Sequence, residues 1–166
     1  EYKEIKFWGY LDYAGISAYF PLSKKEKPSY GEIKSTWNKW MLEIEEWQKT
    51  HGKPVIFPEI GYKSCEGTAR EPWGHDAEGG VDLKQQEYCY RAALETFWDK
   101  EWFYGMYWWV WRTKAFVSGT YDTSFSPNDK PALKTVNEWY TKPDPHKYKT
   151  IMETFNSKIM NLNKKS

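Results

Sequence analysis

Three short apolar runs, at residues 13–20, 54–60 and 103–111, alternate with stretches whose apolar residues recur every three or four positions. That succession restricts the fold more than any other feature of the chain. Strands alternating with helices pair in parallel through right-handed crossovers, which makes this an α/β architecture. The first run, Tyr13-Ala14-Gly15-Ile16-Ser17-Ala18-Tyr19-Phe20, is stopped by Pro21 and reads as a buried strand. The second, Pro54-Val55-Ile56-Phe57-Pro58-Glu59-Ile60, is apolar on both faces apart from its one carboxylate, as a covered parallel strand should be. Aromatics dominate the third, which ends in Tyr107-Trp108-Trp109-Val110-Trp111.

Between the strands, Ile33, Trp37, Trp40, Met41, Ile44 and Trp47 mark one face of a helix from Tyr30 to His51, ended by Gly52. Asp82 followed by Gln85 signals a capping box for a second helix carrying Tyr90, Leu94 and Phe97. Lys130-Pro131 opens a third helix through Tyr140, because proline loses nothing in a first helical turn. A last amphipathic segment, with Tyr148, Ile151, Phe155, Ile159 and Leu162, predicts a tail helix before the basic end Lys164-Lys165-Ser166. Residues 61–81 form a long loop rich in Gly, Pro and charge, and a loop of that length in a compact domain usually serves function. Three strands leave two open edges, which proteins normally cover, charge or close into a barrel.

Composition narrows the function classes. The 24 Lys+Arg against 23 Asp+Glu leave a net charge of +1, which argues against a nucleic-acid binder working through a broad basic face. No apolar run approaches the roughly 20 residues that a membrane helix needs. The chain opens Glu1-Tyr2-Lys3 without an initiator Met or a leader, as expected of a processed or truncated piece. Cys65 and Cys89 either pair or stay reduced, and their spacing suggests no zinc site. The aromatic content is the outlier: 11 Trp, 13 Tyr and 8 Phe in a chain of mean hydropathy −0.88 demand more than core packing.

Glu59 is the sharpest candidate for chemistry. It lies at the C-terminal end of an apolar strand, the rim where parallel α/β folds project catalytic groups. Strand alternation places it on the face of Val55 and Phe57. Position alone favours a solvated strand-end carboxylate, but the neighbouring strand ends weigh against that. Tyr19 ends the first strand, where a phenol can bond the carboxylate and hold it ionised. Trp109 and Trp111 end the third. Aromatic platforms beside a carboxylate suit a sugar site, since pyranose C–H faces lie on indole and an anion meets developing oxocarbenium charge. Trp37, Trp40, Trp47, Trp98 and Trp139, at helical core spacing, are assigned to packing. Trp73, in the long polar loop, is either a further sugar contact or a local anchor. His75, Asp76 and Glu78 match no standard metal spacing and read as a solvated loop, so no metal or cofactor is expected.

The segments around Asp12 to Leu22, Lys53 to Ser64, Arg70-Glu71-Pro72-Trp73, Gly105 to Trp111 and Lys130-Pro131-Ala132, taken in order, resemble glycoside hydrolase family 113, the β-mannanase family of the clan A retaining glycosidases. The resemblance implies a (β/α)8 TIM-barrel type of which residues 1–142 supply the sixth to eighth strands, with residues 143–166 as a C-terminal helix and basic tail. It places the nucleophile at Glu59, the tyrosine that orients it at Tyr19, and the sugar floor at Trp109. Ser17 is a departure, standing where the family often has Asp.

A retaining glycosidase also needs an acid/base carboxyl about 5 Å from its nucleophile, and in this clan it ends the fourth strand. No other Glu here ends a strand facing Glu59, so the missing N-terminal barrel half, in the same or another chain, is an expected partner. The expected ligand is a β-linked oligo- or polysaccharide, neither nucleic acid nor membrane, and a polymeric substrate implies a secreted or periplasmic location. Two other readings stand beside this one: a non-catalytic glycan-binding or structural protein derived from the barrel, and an unrelated small α/β domain with Glu59 in bulk water.

Overall fold

The computed structural model describes residues 2–74, 79–112 and 119–143. Two short 3-10 turns, Tyr2–Glu4 and Trp8–Tyr10, precede β1 (Ala14–Ser17), α1 (Tyr30–His51), β2 (Val55–Ile60), α2 (Leu83–Phe97), β3 (Phe103–Trp108) and α3 (Pro131–Tyr140). The strands form one sheet in the order β1-β2-β3, both pairs parallel. The alternating pattern is therefore realised, with strands shorter than their apolar runs. Tyr19 lies two residues beyond β1, and Trp109 and Trp111 lie beyond β3, where the Trp109–Val110 peptide bond is cis. The predicted tail helix falls on residues 144–166, outside the described residues.

Local chemistry explains the helix ends. Ser29 accepts a hydrogen bond from the Glu32 amide, and the Glu32 carboxylate accepts one from the Ser29 amide, a reciprocal cap that opens α1. Gly52 closes it with a left-handed φ of 64°, which costs glycine nothing. Asp82 caps α2 as expected, accepting from the Gln85 amide at 2.9 Å. The Gln85 side chain does not complete that box. Its Nε2 donates instead to the Glu26 carbonyl at 2.7 Å and its Oε1 accepts from the Ala69 amide, so it joins the loop after β1 to the loop after β2. That second loop also carries an antiparallel bridge, Cys65 to Val81.

The helices cover one face of the sheet, α1 against α2 and α2 against α3. At the centre Trp37 is fully buried, its ring against Phe20, Phe57, Tyr62 and Phe97. Burying an aromatic ring of this kind contributes about 1.5–3 kcal/mol. Trp47 is buried with it, while Trp40, Trp98 and Trp139 pack partly buried against the same core, as their spacing predicts. Cys65 and Cys89 are both free and buried. Among the described residues no helix is long and apolar enough to cross a membrane.

Among the described residues the other face carries no helix. Ala14 and Ile16 of β1 are buried while Gly15 and Ser17 are exposed. Tyr104 and Tyr107 of β3 are exposed as well, and Tyr104 meets the ring of Tyr13 at 5.6 Å. The outer edge of β1 is unpaired among the described residues. A cleft of about 510 Å³ is lined by Gly15, Ile16 and Ser17 of β1 together with Tyr19, Phe20, Tyr2 and Trp40.

This two-sided sheet corrects one expectation. Glu59 does not share the face of Val55 and Phe57. The pairing of β2 with β3 shifts register between Phe57 and Ile60, so that Phe57 and Ile60, three residues apart, are both buried. Pro58 is exposed and lies against Gly15, and Glu59 is the register partner of exposed Ser17. The irregularity thus leaves Glu59 on the helix-free face, because an extra residue in a ladder reverses every later side chain.

Candidate active site

Glu59 is the single carboxylate within the three strands and stands half-buried at the C-terminal end of β2. Tyr19, from the chain just past β1, donates a hydrogen bond from its hydroxyl to Glu59 Oε1 at 2.9 Å. Burial first, then the bond to this carboxylate, pushes the Tyr19 phenol far above the usual tyrosine range. Tyr19 therefore remains a neutral hydroxyl that donates to the carboxylate.

Phe125 backs this pair. The ring of Phe125 contacts that of Tyr19 edge-on, with centroids 6.4 Å apart. Its carbonyl accepts from Gln86 Nε2 at 3.1 Å and from the Tyr90 hydroxyl at 3.3 Å, both on α2. Gly61 is what lets these parts close together. A Cβ on residue 61 would lie 2.2 Å from the Trp109 carbonyl oxygen and 3.1 Å from Phe125 Cδ1. Trp109 in turn donates its amide to the Ile60 carbonyl at 2.7 Å, which fixes the chain after β3 beside the end of β2.

A buried polar knot secures the loop that carries Phe125. Lys130, whose side chain is fully buried, pairs with Asp122 Oδ2 at 2.8 Å and donates to Ser64 Oγ at 2.8 Å and the Ser124 carbonyl at 3.1 Å. Ser64 Oγ donates to the Asp122 carbonyl at 2.6 Å. Burial lowers the Lys130 ammonium below its ordinary range even though Asp122 supports it. Burial works to raise the Asp122 carboxyl, but the bonds from Lys130 and Ser124 outweigh it and hold the group low.

The structure therefore brings Tyr19, Glu59 and the Trp109 backbone to one rim. Trp109, Trp111 and Trp73 each leave about half their surface exposed, at 46%, 47% and 52%. No hydrogen bond or ring contact among the described residues joins Trp111 or Trp73 to the Tyr19–Glu59 pair. His75, Asp76 and Glu78 lie outside the described residues. Sequence reasoning missed Phe125, Gln86, Gly61 and the Lys130–Asp122–Ser64 knot. The one available signal was polarity itself: Gln86 and Lys130 occupy positions that face a core.

Set beside known proteins, residues 1–130 match the model of Glycoside Hydrolase Family 113. No curated protein matches the chain. Among solved structures, a GH113 β-mannanase from Alicyclobacillus acidocaldarius, in complex with ManMIm, is 27% identical, with a TM-score of 0.70 over 82% of this chain and 41% of its own. A GH113 β-1,4-mannanase is likewise 27% identical, with a TM-score of 0.70 over 84% of this chain and 42% of its own. A β-glucuronidase from Ruminococcus gnavus, 16% identical with a TM-score of 0.52, shares the fold alone. The chain spans about two fifths of the length of the mannanase structures it matches.

Proposed function

The chain belongs to glycoside hydrolase family 113, and from that premise we propose that it carries the nucleophile half of a retaining β-1,4-mannanase-like active site. In this reading Glu59 attacks the anomeric carbon and Tyr19 holds the carboxylate in line. Trp109 floors the sugar, with Trp111 and Trp73 as outer contacts. The acid/base carboxyl, about 5 Å from the nucleophile in retaining enzymes, comes from outside these 166 residues. There it protonates the leaving oxygen and later activates the water that releases the glycosyl-enzyme.

One observation carries the reading: the Tyr19–Glu59 hydrogen bond at the C-terminal rim of a parallel sheet, on the face that no helix among the described residues covers. Barrel enzymes place their chemistry at that rim. The open edge of β1 and the two-fifths coverage of the mannanase structures support further strands completing a barrel, with these three as its sixth to eighth. A polymeric β-linked mannan as substrate supports a secreted or periplasmic location.

The test is Glu59→Gln in the full-length protein, followed by release of reducing sugar from mannan. A drop of about a thousandfold or more is expected when a covalent nucleophile is lost. Hydrolysis near the wild-type rate would remove Glu59 from the chemistry. The 166-residue chain alone is expected to leave mannan intact; if the full-length protein also binds manno-oligosaccharide without cleaving it, the glycan-binding reading replaces this one.

A further inference from the structure

Lys63 is an anomaly beside this site. Tyr62 before it turns its ring into the core against Trp37, and Ser64 after it enters the knot with Asp122. Lys63 between them is only 7% exposed, and its ammonium has no hydrogen-bond partner among the described residues. A buried cation without an anion is unfavourable unless something else compensates the lost hydration. Here the compensating group is a ring: Lys63 Nζ lies 5.5 Å from the centroid of Phe125. An ammonium over an aromatic face is attracted by the ring quadrupole, most strongly where water is excluded.

Phe125 is itself the wall behind Tyr19. Its carbonyl is pinned by Gln86 and Tyr90, but those bonds do not by themselves set the side-chain torsions, which the groups around the ring decide. Three neighbours meet the ring: Tyr19 edge-on, Gly61, where an added Cβ would lie 3.1 Å from Phe125 Cδ1, and the ammonium of Lys63. We propose that Lys63 is a positioning residue for the nucleophile: its ammonium fixes the Phe125 ring, and the ring fixes the Tyr19 phenol that holds Glu59. The inference rests on the glycosidase reading above for its consequence in catalysis, though not for its geometry.

Two substitutions in the full-length protein test it, Lys63→Met, which keeps a long unbranched chain without charge, and Lys63→Arg, which keeps a cation over the ring. Small misplacements near a reacting group cost one to two powers of ten, so Lys63→Met is expected to lower kcat on manno-oligosaccharide about tenfold with KM changed less than about twofold. Thermal stability should hold or rise, since an unpaired buried charge has been removed, and Lys63→Arg should recover most of kcat. Wild-type kcat in Lys63→Met, or equal losses in both variants that track the folded fraction, would overturn the proposal.

A second measurement separates this proposal from the glycosidase reading. In the full-length protein labelled with 13Cζ-tyrosine, the Tyr19 resonance, assigned by its loss in Tyr19→Phe, should move in Lys63→Met and in Phe125→Leu but stay in Lys63→Arg. An unmoved resonance in Lys63→Met overturns the positioning role even if mannan is hydrolysed. A moved resonance in a protein without hydrolysis upholds the positioning role and sinks the glycosidase reading alone.

Discussion

Tyr19 donates its hydroxyl proton to Glu59 Oε1 across 2.9 Å and 40 residues of chain, joining the end of one strand to the end of the next. Neither residue has another described hydrogen bond through its side chain. The pair depends on Phe125 behind it and on the close approach of the chain after β3 to Gly61.

Removing the hydroxyl alone should disturb chemistry more than fold. Tyr19→Phe keeps the ring against Phe125, so we expect kcat on manno-oligosaccharide to fall about ten- to a hundredfold in the full-length protein, as for loss of one preorganised hydrogen bond. Steady-state kinetics check this, and an unchanged kcat would leave Tyr19 as packing only.

The same bond has a pH signature. Burial and Glu59 raise the Tyr19 hydroxyl above its unfolded value of 10.0. A raised group contributes stability that is complete below the unfolded value and lost as pH rises toward the folded one. Urea midpoints of the wild-type chain should therefore fall above pH 10 more steeply than those of Tyr19→Phe.

Gly61→Ala should be strongly destabilising. The added Cβ meets backbone, the Trp109 carbonyl oxygen at 2.2 Å, and backbone cannot step aside as a flexible side chain can. A loss of about 2–3 kcal/mol is expected, at the upper end for overpacking. Chemical denaturation measures it directly.

Asp122→Asn tests the knot under the Phe125 loop. It leaves the fully buried Lys130 ammonium without its counter-charge, a change that costs about 3 kcal/mol in buried pairs. Because Asp122 is held below its unfolded value of 3.8, its contribution is present above that pH and is lost as pH falls through the lower folded value. The variant should thus show a shallower acid unfolding profile than wild type, followed by circular dichroism below pH 4.

Trp109 and Trp37 should separate cleanly. Trp109→Ala removes a half-exposed ring and should change stability by less than about 0.5 kcal/mol, while weakening manno-oligosaccharide binding about tenfold in a fluorescence titration. Trp37→Ala empties the centre of the core and should cost about 3–5 kcal/mol.

Much of the site was legible before any coordinate. The order of apolar runs and amphipathic stretches predicts the parallel sheet, and it is the sheet observed. Glu59, the one carboxylate in three strands, needed no structure to single it out, and the partner assigned to it, Tyr19, is the one it bonds. Helix-face tryptophans separated from rim tryptophans by spacing alone, because the 3.6-residue period is a local property. The face of Glu59 was misread for an equally physical reason. Alternation assumes an unbroken ladder, and the break after Phe57 is decided by pairing with β3, more than 40 residues away.

The sequence by itself determined the element order, the family and the identity of the candidate nucleophile, since each rests on short stretches of chain or on their succession. Only the tertiary structure decided which face Glu59 points to, that Phe125 stands behind Tyr19, that Lys63 lies over that ring, and that Lys130, Asp122 and Ser64 form one buried knot. Apart from the local Lys130–Asp122 pair, those contacts join segments about 40 to 106 residues apart, as Ser64 to Lys130 does at a separation of 66. No periodicity along the chain encodes them, because they arise from how the sheet and its helices bring separate strand ends to one rim.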